Sequence, residues 1–257
     1  MNIAVTGATG RMGRAVIEAA ADRPDVRVAL AVNRDPAADR VADVRVWPAA
    51  EFGPLLEEHR PDVLVDFTGP ESSVEYVEAA AEAAVPAVVG TTGFDEDQLD
   101  RLRTASETVP VLLAANFGRG VQALLRAVES ALETLPGYDV EVTETHHNQK
   151  RDAPSGTAMT ILDRIDEVRG PAERVHGRVG DQPRGPGEGE IGVHARRAGQ
   201  VRGEHEVLVA GNDEVLSFTH RAGSRRVFAA GALDAATWIA GHPPGWYDFS
   251  DVLEAGR

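Results

Sequence analysis

A seven-residue turn, Gly7-Ala8-Thr9-Gly10-Arg11-Met12-Gly13, constrains this chain more than any other stretch. It stands between an apolar strand candidate at residues 3–6 and a stripe of Met12, Val16 and Ala19 at helical spacing. The first two glycines let the backbone turn sharply and expose the N–H groups of the helix's first turn, whose partial positive charge favours an anion. The third lets helix and strand pack closely. In this strand, turn and helix context the pattern points to the pyrophosphate of NAD or NADP. Further strand candidates at residues 26–32, 63–67, 87–90 and 111–115 are Val/Ala/Leu runs without alternation, as expected of parallel strands buried on both faces. Between them, Ser72-Ser73-Val74-Glu75 and Asp95-Glu96-Asp97-Gln98 have the spacing of helix capping boxes. The expected class is α/β, a Rossmann-like doubly wound parallel sheet.

The pattern changes after a helix predicted over 121–135. Alternation at residues 140–144, 206–209 and 215–219, with a Gly211-Asn212-Asp213-Glu214 turn, predicts antiparallel strands and a hairpin. Residues 177–189 hold five glycines and two prolines and read as a mobile surface loop. An Ala-rich helix predicted over 227–239 is stopped by Gly241, Pro243 and Pro244. The expected layout is a dinucleotide-binding domain at 1–117, completed by 227–257, and a second α+β domain at 118–226 built on a mainly antiparallel sheet. At the end of the second strand, Val32-Asn33-Arg34-Asp35, Arg34 suits the 2′-phosphate of NADP and Asn33 does not repel it, whereas Asp35 argues for the ribose hydroxyls of NAD. The balance favours NADPH, with NADH the other choice.

Charge sharpens the search for chemistry. The chain carries 41 acidic and 26 basic residues, a net −15, which disfavours nucleic acid as a partner and suits a heavily hydrated surface soluble at high salt, hence a halophilic source. Of the basic residues 25 are arginine and one is lysine, Lys150, marking a position where only lysine serves. Two of the eight histidines, His146 and His147, lie within five residues of it. Neighbouring side chains on a strand point to opposite sides, so both histidines can line one pocket only if the backbone turns. A loop there supplies a group titrating near neutrality beside a permanent cation, fit to move protons while holding an anion. Pro154-Ser155-Gly156-Thr157 then opens a helix: Ser155 can cap it, and the hydroxyls of Ser155 and Thr157 with the N–H groups of Gly156 and Thr157 make a carboxylate site. A metal site on His146 and His147 lacks a third ligand at typical spacing. Zero cysteines exclude disulfides and thiolate chemistry and agree with a cytoplasmic protein. No apolar run approaches the roughly 20 residues of a membrane span, and no secretion signal precedes the first strand.

Taken with Asp66-Phe67-Thr68, Gly90-Thr91-Thr92-Gly93-Phe94, Ala114-Ala115-Asn116-Phe117, Arg197-Ala198-Gly199, Gly203-Glu204-His205 and Thr219-His220-Arg221, these segments resemble the dihydrodipicolinate reductase family over nearly the whole chain. The resemblance implies hydride transfer from NADPH or NADH to the ring of 4-hydroxy-tetrahydrodipicolinate with loss of water, a step of the diaminopimelate route to lysine. It implies His146 as proton donor and acceptor, Lys150 as proton donor, and His147, Gly156 and Thr157 as ligands of the substrate's carboxylates. Cofactor contacts are implied for Gly7, Ala8, Thr9, Gly10, Arg11, Met12, Asn33, Arg34, Gly90, Thr91, Thr92, Ala114, Ala115, Asn116 and Phe117, and a homotetramer is implied through the second domain's sheet. The chain departs from the family pattern at Asn33, often acidic, at Gly118-Arg119, usually Ser-Val, and at Gly223, commonly serine. Two other readings use the same turn: a non-catalytic NADP(H) sensor, which would need no intact His-Lys segment, and a dehydrogenase of another dicarboxylate or amino acid, separable by substrate assay.

Overall fold

The computed structural model describes residues 1–34, 39–185 and 189–254; Asp35, residues 186–188 of the glycine-rich loop and residues 255–257 lie outside the described residues. The chain divides into two compact units, Met1–Gly118 with Arg225–Arg257, and Arg119–Ser224.

In the first unit, β1 (Asn2–Thr6) leads into α1 (Arg11–Ala21) and β2 (Arg27–Asn33). A short hairpin, β3 (Arg40–Val41) and β4 (Val44–Arg45), precedes β5 (Trp47–Pro48) and α2 (Phe52–His59). Then follow β6 (Val63–Asp66), α3 (Pro70–Glu82), β7 (Ala87–Val89), α4 (Glu96–Ser106) and β8 (Pro110–Leu113). The second unit holds α5 (Arg119–Thr134), β9 (Asp139–His146), α6 (Gly156–Arg169), β10 (Glu173–Val175), β11 (Glu190–Arg197), β12 (Glu204–Gly211) and β13 (Glu214–Arg221). The chain returns to the first unit with α7 (Arg226–Ile239), β14 (Gly245–Tyr247) and α8 (Phe249–Glu254).

The first sheet has seven strands in the order β14-β8-β7-β6-β1-β2-β5, every pairing parallel. Its doubly wound, Rossmann-like build follows from alternation along strands apolar on both sides. Ile3 and Val5 pack with Val16 and Ile17 of α1 and Leu233 and Ala236 of α7; Ala4 and Leu64 pack with Leu55 of α2, Val77 of α3 and Leu102 of α4. Phe117 is buried between Phe67 and Phe249, at ring-centroid distances of 5.8 and 5.3 Å.

Asp95 and Gln98 form the expected capping box, each side chain bonded to the other's backbone N–H. The box expected at Ser72–Glu75 is absent. Proline at the first position starts α3 at Pro70 with Gly69 as N-cap, so Ser72 and Ser73 fall inside the first turn, where their hydroxyls serve other partners.

The second unit's five strands run β10-β11-β9-β12-β13, with α5 and α6 burying Leu124, Val128, Ile161 and Leu162 against Val140, Val142, Val193 and Val207. This sheet is mixed, with the antiparallel pairings the more extensive. β9 pairs antiparallel with β12 and β12 with β13, as expected, but β11 pairs parallel with β9 and with β10, because α6 carries the chain back across. The β12–β13 hairpin turns at Asn212 and Asp213, both at positive φ (48° and 63°).

Candidate active site

In the first unit's seven-stranded sheet all strands are parallel, so the C-terminal ends of β1, β2, β6, β7 and β8 lie along one edge of the sheet. The glycine turn is there, and its glycines are required by sterics. Gly7 has φ +69°, and a Cβ on it would stand 2.5 Å from the Phe67 carbonyl oxygen; one on Gly13 would stand 2.2 Å from the Gly7 oxygen. Gly10 is the N-cap of α1 and offers no side chain to its first turn, which also carries no acidic residue. Such a helix end is a preformed seat for an anion. Thr9 is half-buried and accepts through its carbonyl from Arg14 Nε at 2.9 Å; Arg11 is exposed, Met12 partly buried, and Ala8 fully buried, its N–H donating to the Val32 carbonyl.

Asp66, fully buried at the end of β6, organises this edge. Its Oδ1 accepts from Thr6 Oγ1 (2.6 Å) and Thr68 Oγ1 (2.7 Å), its Oδ2 from Ser73 Oγ and Thr91 Oγ1 (both 2.7 Å). Four hydroxyls from four segments thus converge on one buried carboxyl group and satisfy both of its oxygens. Asp66 received no role from sequence, since its partners meet only through the strand order. Gly90 has no side chain because the Phe67 ring fills that place, 2.0 Å from a would-be Cβ. Thr91 spends its hydroxyl on Asp66, so only its backbone and the exposed Thr92 face outward. Ala114 is buried and bonded to Val89, Ala115 is exposed, Asn116 Oδ1 accepts from the Gly118 N–H at 2.7 Å, and Phe117 lends its side chain to the core. Asn33 is half-buried at the end of β2; Arg34 is exposed and donates to Ser72 Oγ.

In the second unit the chemistry gathers at one end of the mixed sheet. His146 is the last residue of β9 rather than part of a loop, and the chain turns directly after it: Lys150 N–H donates to the His147 carbonyl at 3.1 Å. His147 and Lys150 are therefore carried on a turn, which removes the opposite-side restriction of a strand. The connection from β11 to β12 crosses this end, with Ala198 N–H bonded to the His146 carbonyl (2.8 Å) and Asn148 N–H to the Gly199 carbonyl (3.2 Å).

Glu144 lies two residues before His146 and therefore on the same face. It is wholly buried, and His146 Nδ1 is 2.7 Å from its Oε2. Register places Arg197 beside His146 and His205 opposite Glu144. Arg197 forks onto Glu144 at 2.8 and 2.7 Å and also donates to the Asp152 carbonyl. The His205 ring stands edge-on to that of His146, centroids 5.2 Å apart, and its Nε2 is 3.0 Å from Ser155 Oγ. Ser155 is the N-cap of α6, its hydroxyl accepting from Ala158 N–H at 3.2 Å. Gly156 is exposed, and a Cβ there would meet nothing, whereas Thr157 is buried behind it. Lys150 Nζ pairs with Asp152 at 2.8 Å.

Burial pushes the His146 imidazole below its usual range, with Lys150 and Arg197 adding to that and Glu144 opposing it. Burial acts to raise the Glu144 carboxyl, but the Arg197 fork and His146 outweigh it and hold it below the usual carboxylate range. His205 is pushed down to about 4, chiefly by burial. At neutral pH the site therefore holds two neutral imidazoles, His146 and His205, beside the buried Glu144 carboxylate. Glu144, Arg197 and His205 received no role from sequence; only the Glu144-x-His146 spacing was readable as one strand face.

The family model described as dihydrodipicolinate reductase, N-terminus, matches residues 1–117, and that described as its C-terminus matches residues 120–253. A 4-hydroxy-tetrahydrodipicolinate reductase from Natronomonas pharaonis is 58% identical over 254 residues, covering 98% of this chain and 100% of that one. Its counterpart from Haloarcula marismortui is 56% identical over 253 residues, covering 98% and 99%. Among solved structures, the dipicolinate-bound dihydrodipicolinate reductase from Paenisporosarcina sp. TG-14 matches with a TM-score of 0.79 over 96% of this chain and 97% of that one; at 24% identity this likeness bears on the fold. With both halves matched in order and identity this high along their full length, the chain belongs to the dihydrodipicolinate reductase family.

Proposed function

We propose that the chain is an oxidoreductase that uses NADPH or NADH to reduce 4-hydroxy-tetrahydrodipicolinate to tetrahydrodipicolinate, in the diaminopimelate route to lysine. The observation that carries the reading is the cluster at the end of β9: a neutral His146 anchored through Nδ1, the sole lysine on the adjoining turn, and the Ser155-capped start of α6. Full-length relatives at 56–58% identity bear the name of this activity.

The glycine turn fits a dinucleotide's pyrophosphate, since Cβ atoms on Gly7 and Gly13 would collide with backbone and the first turn of α1 has no competing side-chain cap. Gly7 to Met12 would hold that group, with the backbone at Gly90 to Thr92 and Ala114 to Phe117 completing the seat. Bound there, the dihydronicotinamide supplies a hydride. In sum one hydride and one proton enter and the ring hydroxyl leaves as water. The chain's residues manage the anion and the protons. Gly156 and Thr157 N–H groups at the start of α6, with Ser155 capping it and His147 nearby, hold the substrate's carboxylates. Lys150 supplies a proton and a positive charge, and His146 takes up and returns a proton at Nε2. Arg34, an exposed cation at the end of β2, favours NADPH over NADH. The enzyme works in the cytoplasm as a homotetramer assembled through the second unit's sheet.

The test is loss of reduced-nicotinamide absorbance with the condensation product of pyruvate and aspartate semialdehyde, titrating NADPH against NADH. Lys150→Ala should lower kcat by about 10²- to 10⁴-fold while leaving NADPH affinity intact, the range for a displaced proton donor. Arg34→Ala should erase the preference for NADPH. No turnover by the wild type with this substrate overturns the reading.

A further inference from the structure

We propose that Glu144 is a positioning residue: locked as an acceptor by Arg197, it fixes His146 in the Nδ1–H tautomer and so makes Nε2 the atom that exchanges protons. This rests on the proton-transfer role assigned to His146 under Proposed function.

The argument is one of donors and acceptors. Glu144 receives four contacts on two oxygens. Arg197 Nη1 (2.8 Å) and His146 Nδ1 (2.7 Å) meet Oε2; Arg197 Nη2 (2.7 Å) and the Ser155 N–H (3.1 Å) meet Oε1. The guanidinium and the amide can only donate, and an ionised carboxylate can only accept. Nδ1 must then carry the hydrogen. Since the imidazole is neutral at neutral pH, its remaining lone pair sits on Nε2. The groups that act on His146 come from every neighbouring segment: Glu144 on its own strand, Arg197 on β11, His205 on β12 and Lys150 on the following turn. Of these four, Glu144 is the one hydrogen-bonded to Nδ1. Near Nε2 the chain places Gly203, where a Cβ would stand 3.2 Å from that nitrogen, so the glycine keeps a side chain from crowding it.

A purely structural ion pair between β9 and β11 would need Arg197 and Glu144 but would be indifferent to the imidazole's hydrogen. Nitrogen-15 NMR of histidine-labelled protein, without substrate, separates the two. The wild type should show His146 protonated at Nδ1 and bare at Nε2 at neutral pH; an Nε2–H tautomer overturns the proposal without any variant. In Glu144→Gln the amide NH₂ must face donors on either oxygen's position, so the tautomer should become mixed or reversed. Its kcat should fall about 100-fold with unchanged NADPH affinity, and the His146 limb of the pH profile should move to lower pH, since a negative charge that favours the imidazolium is gone. Glu144→Asp, which remains acceptor-only, should keep the Nδ1–H tautomer and recover part of kcat. An unmoved tautomer and pH limb in Glu144→Gln overturn the proposal. The tautomer is read without turnover, so an inactive wild type would remove the proposed function while leaving this measurement to stand by itself.

Discussion

His205 shows how one buried side chain sets a limit on the protein's working range. It is 3% exposed and its pKa is pushed down to about 4 by burial, against about 6.5 in an unfolded chain. Well above pH 6.5 neither state takes a proton there, and stability is independent of pH on its account. Between 6.5 and 4 the unfolded state binds a proton that the folded state refuses, so stability falls as the solution is acidified. The loss from this residue is about 2 kcal/mol between pH 7 and pH 5 and about 3 kcal/mol by pH 4. His146, lowered for the same reason, acts in the same sense. Urea unfolding at pH 7 and pH 5 should show the decline in the wild type and a smaller one in His205→Asn; equal declines would contradict it.

At the scale of elements, β1 and α1 are held together through the absence of side chains. A Cβ at position 13 would sit 2.2 Å from the Gly7 carbonyl oxygen, so Gly13→Ala should force α1 off β1 and cost about 1–3 kcal/mol, read as a lowered Tm with weakened binding of the nicotinamide dinucleotide. This pairing was legible in the sequence because strand, turn and helix are contiguous, and the same holds for the Asp95 capping box and the Asn212-Asp213 hairpin. What escaped was set by distant partners. Asp66 takes its four hydroxyls from residues 6, 68, 73 and 91, and Arg197 and His205 reach Glu144 only through the register of β11 and β12. The parallel placement of β11 was equally hidden, because strand alternation tells which face a residue takes and not which neighbour the strand chooses. Ser72 and Ser73 misled because a proline two residues earlier had already started the helix.

For the whole molecule, the excess of 15 negative charges is spread along the chain and repels itself more in the folded form than in the expanded one. Screening shortens from about 8 Å at physiological ionic strength to about 3 Å at 1 M salt, so Tm should rise steadily as KCl is added over that range. A Tm that is flat or falls with KCl would show that repulsion is not what limits stability. The two units also differ in how their chains are assembled. The second is one continuous stretch, whereas the first closes only when α7 packs on α1 and the sheet. A ribosome delivers α7 only after more than a hundred intervening residues have emerged. During synthesis, then, the glycine turn and its strand wait with Ile3 and Val5 lacking their final cover, while the second unit, one continuous stretch, already has all of its own elements out. The unit with the mixed sheet can mature on the nascent chain; the unit with the parallel sheet is completed only once α7 has emerged.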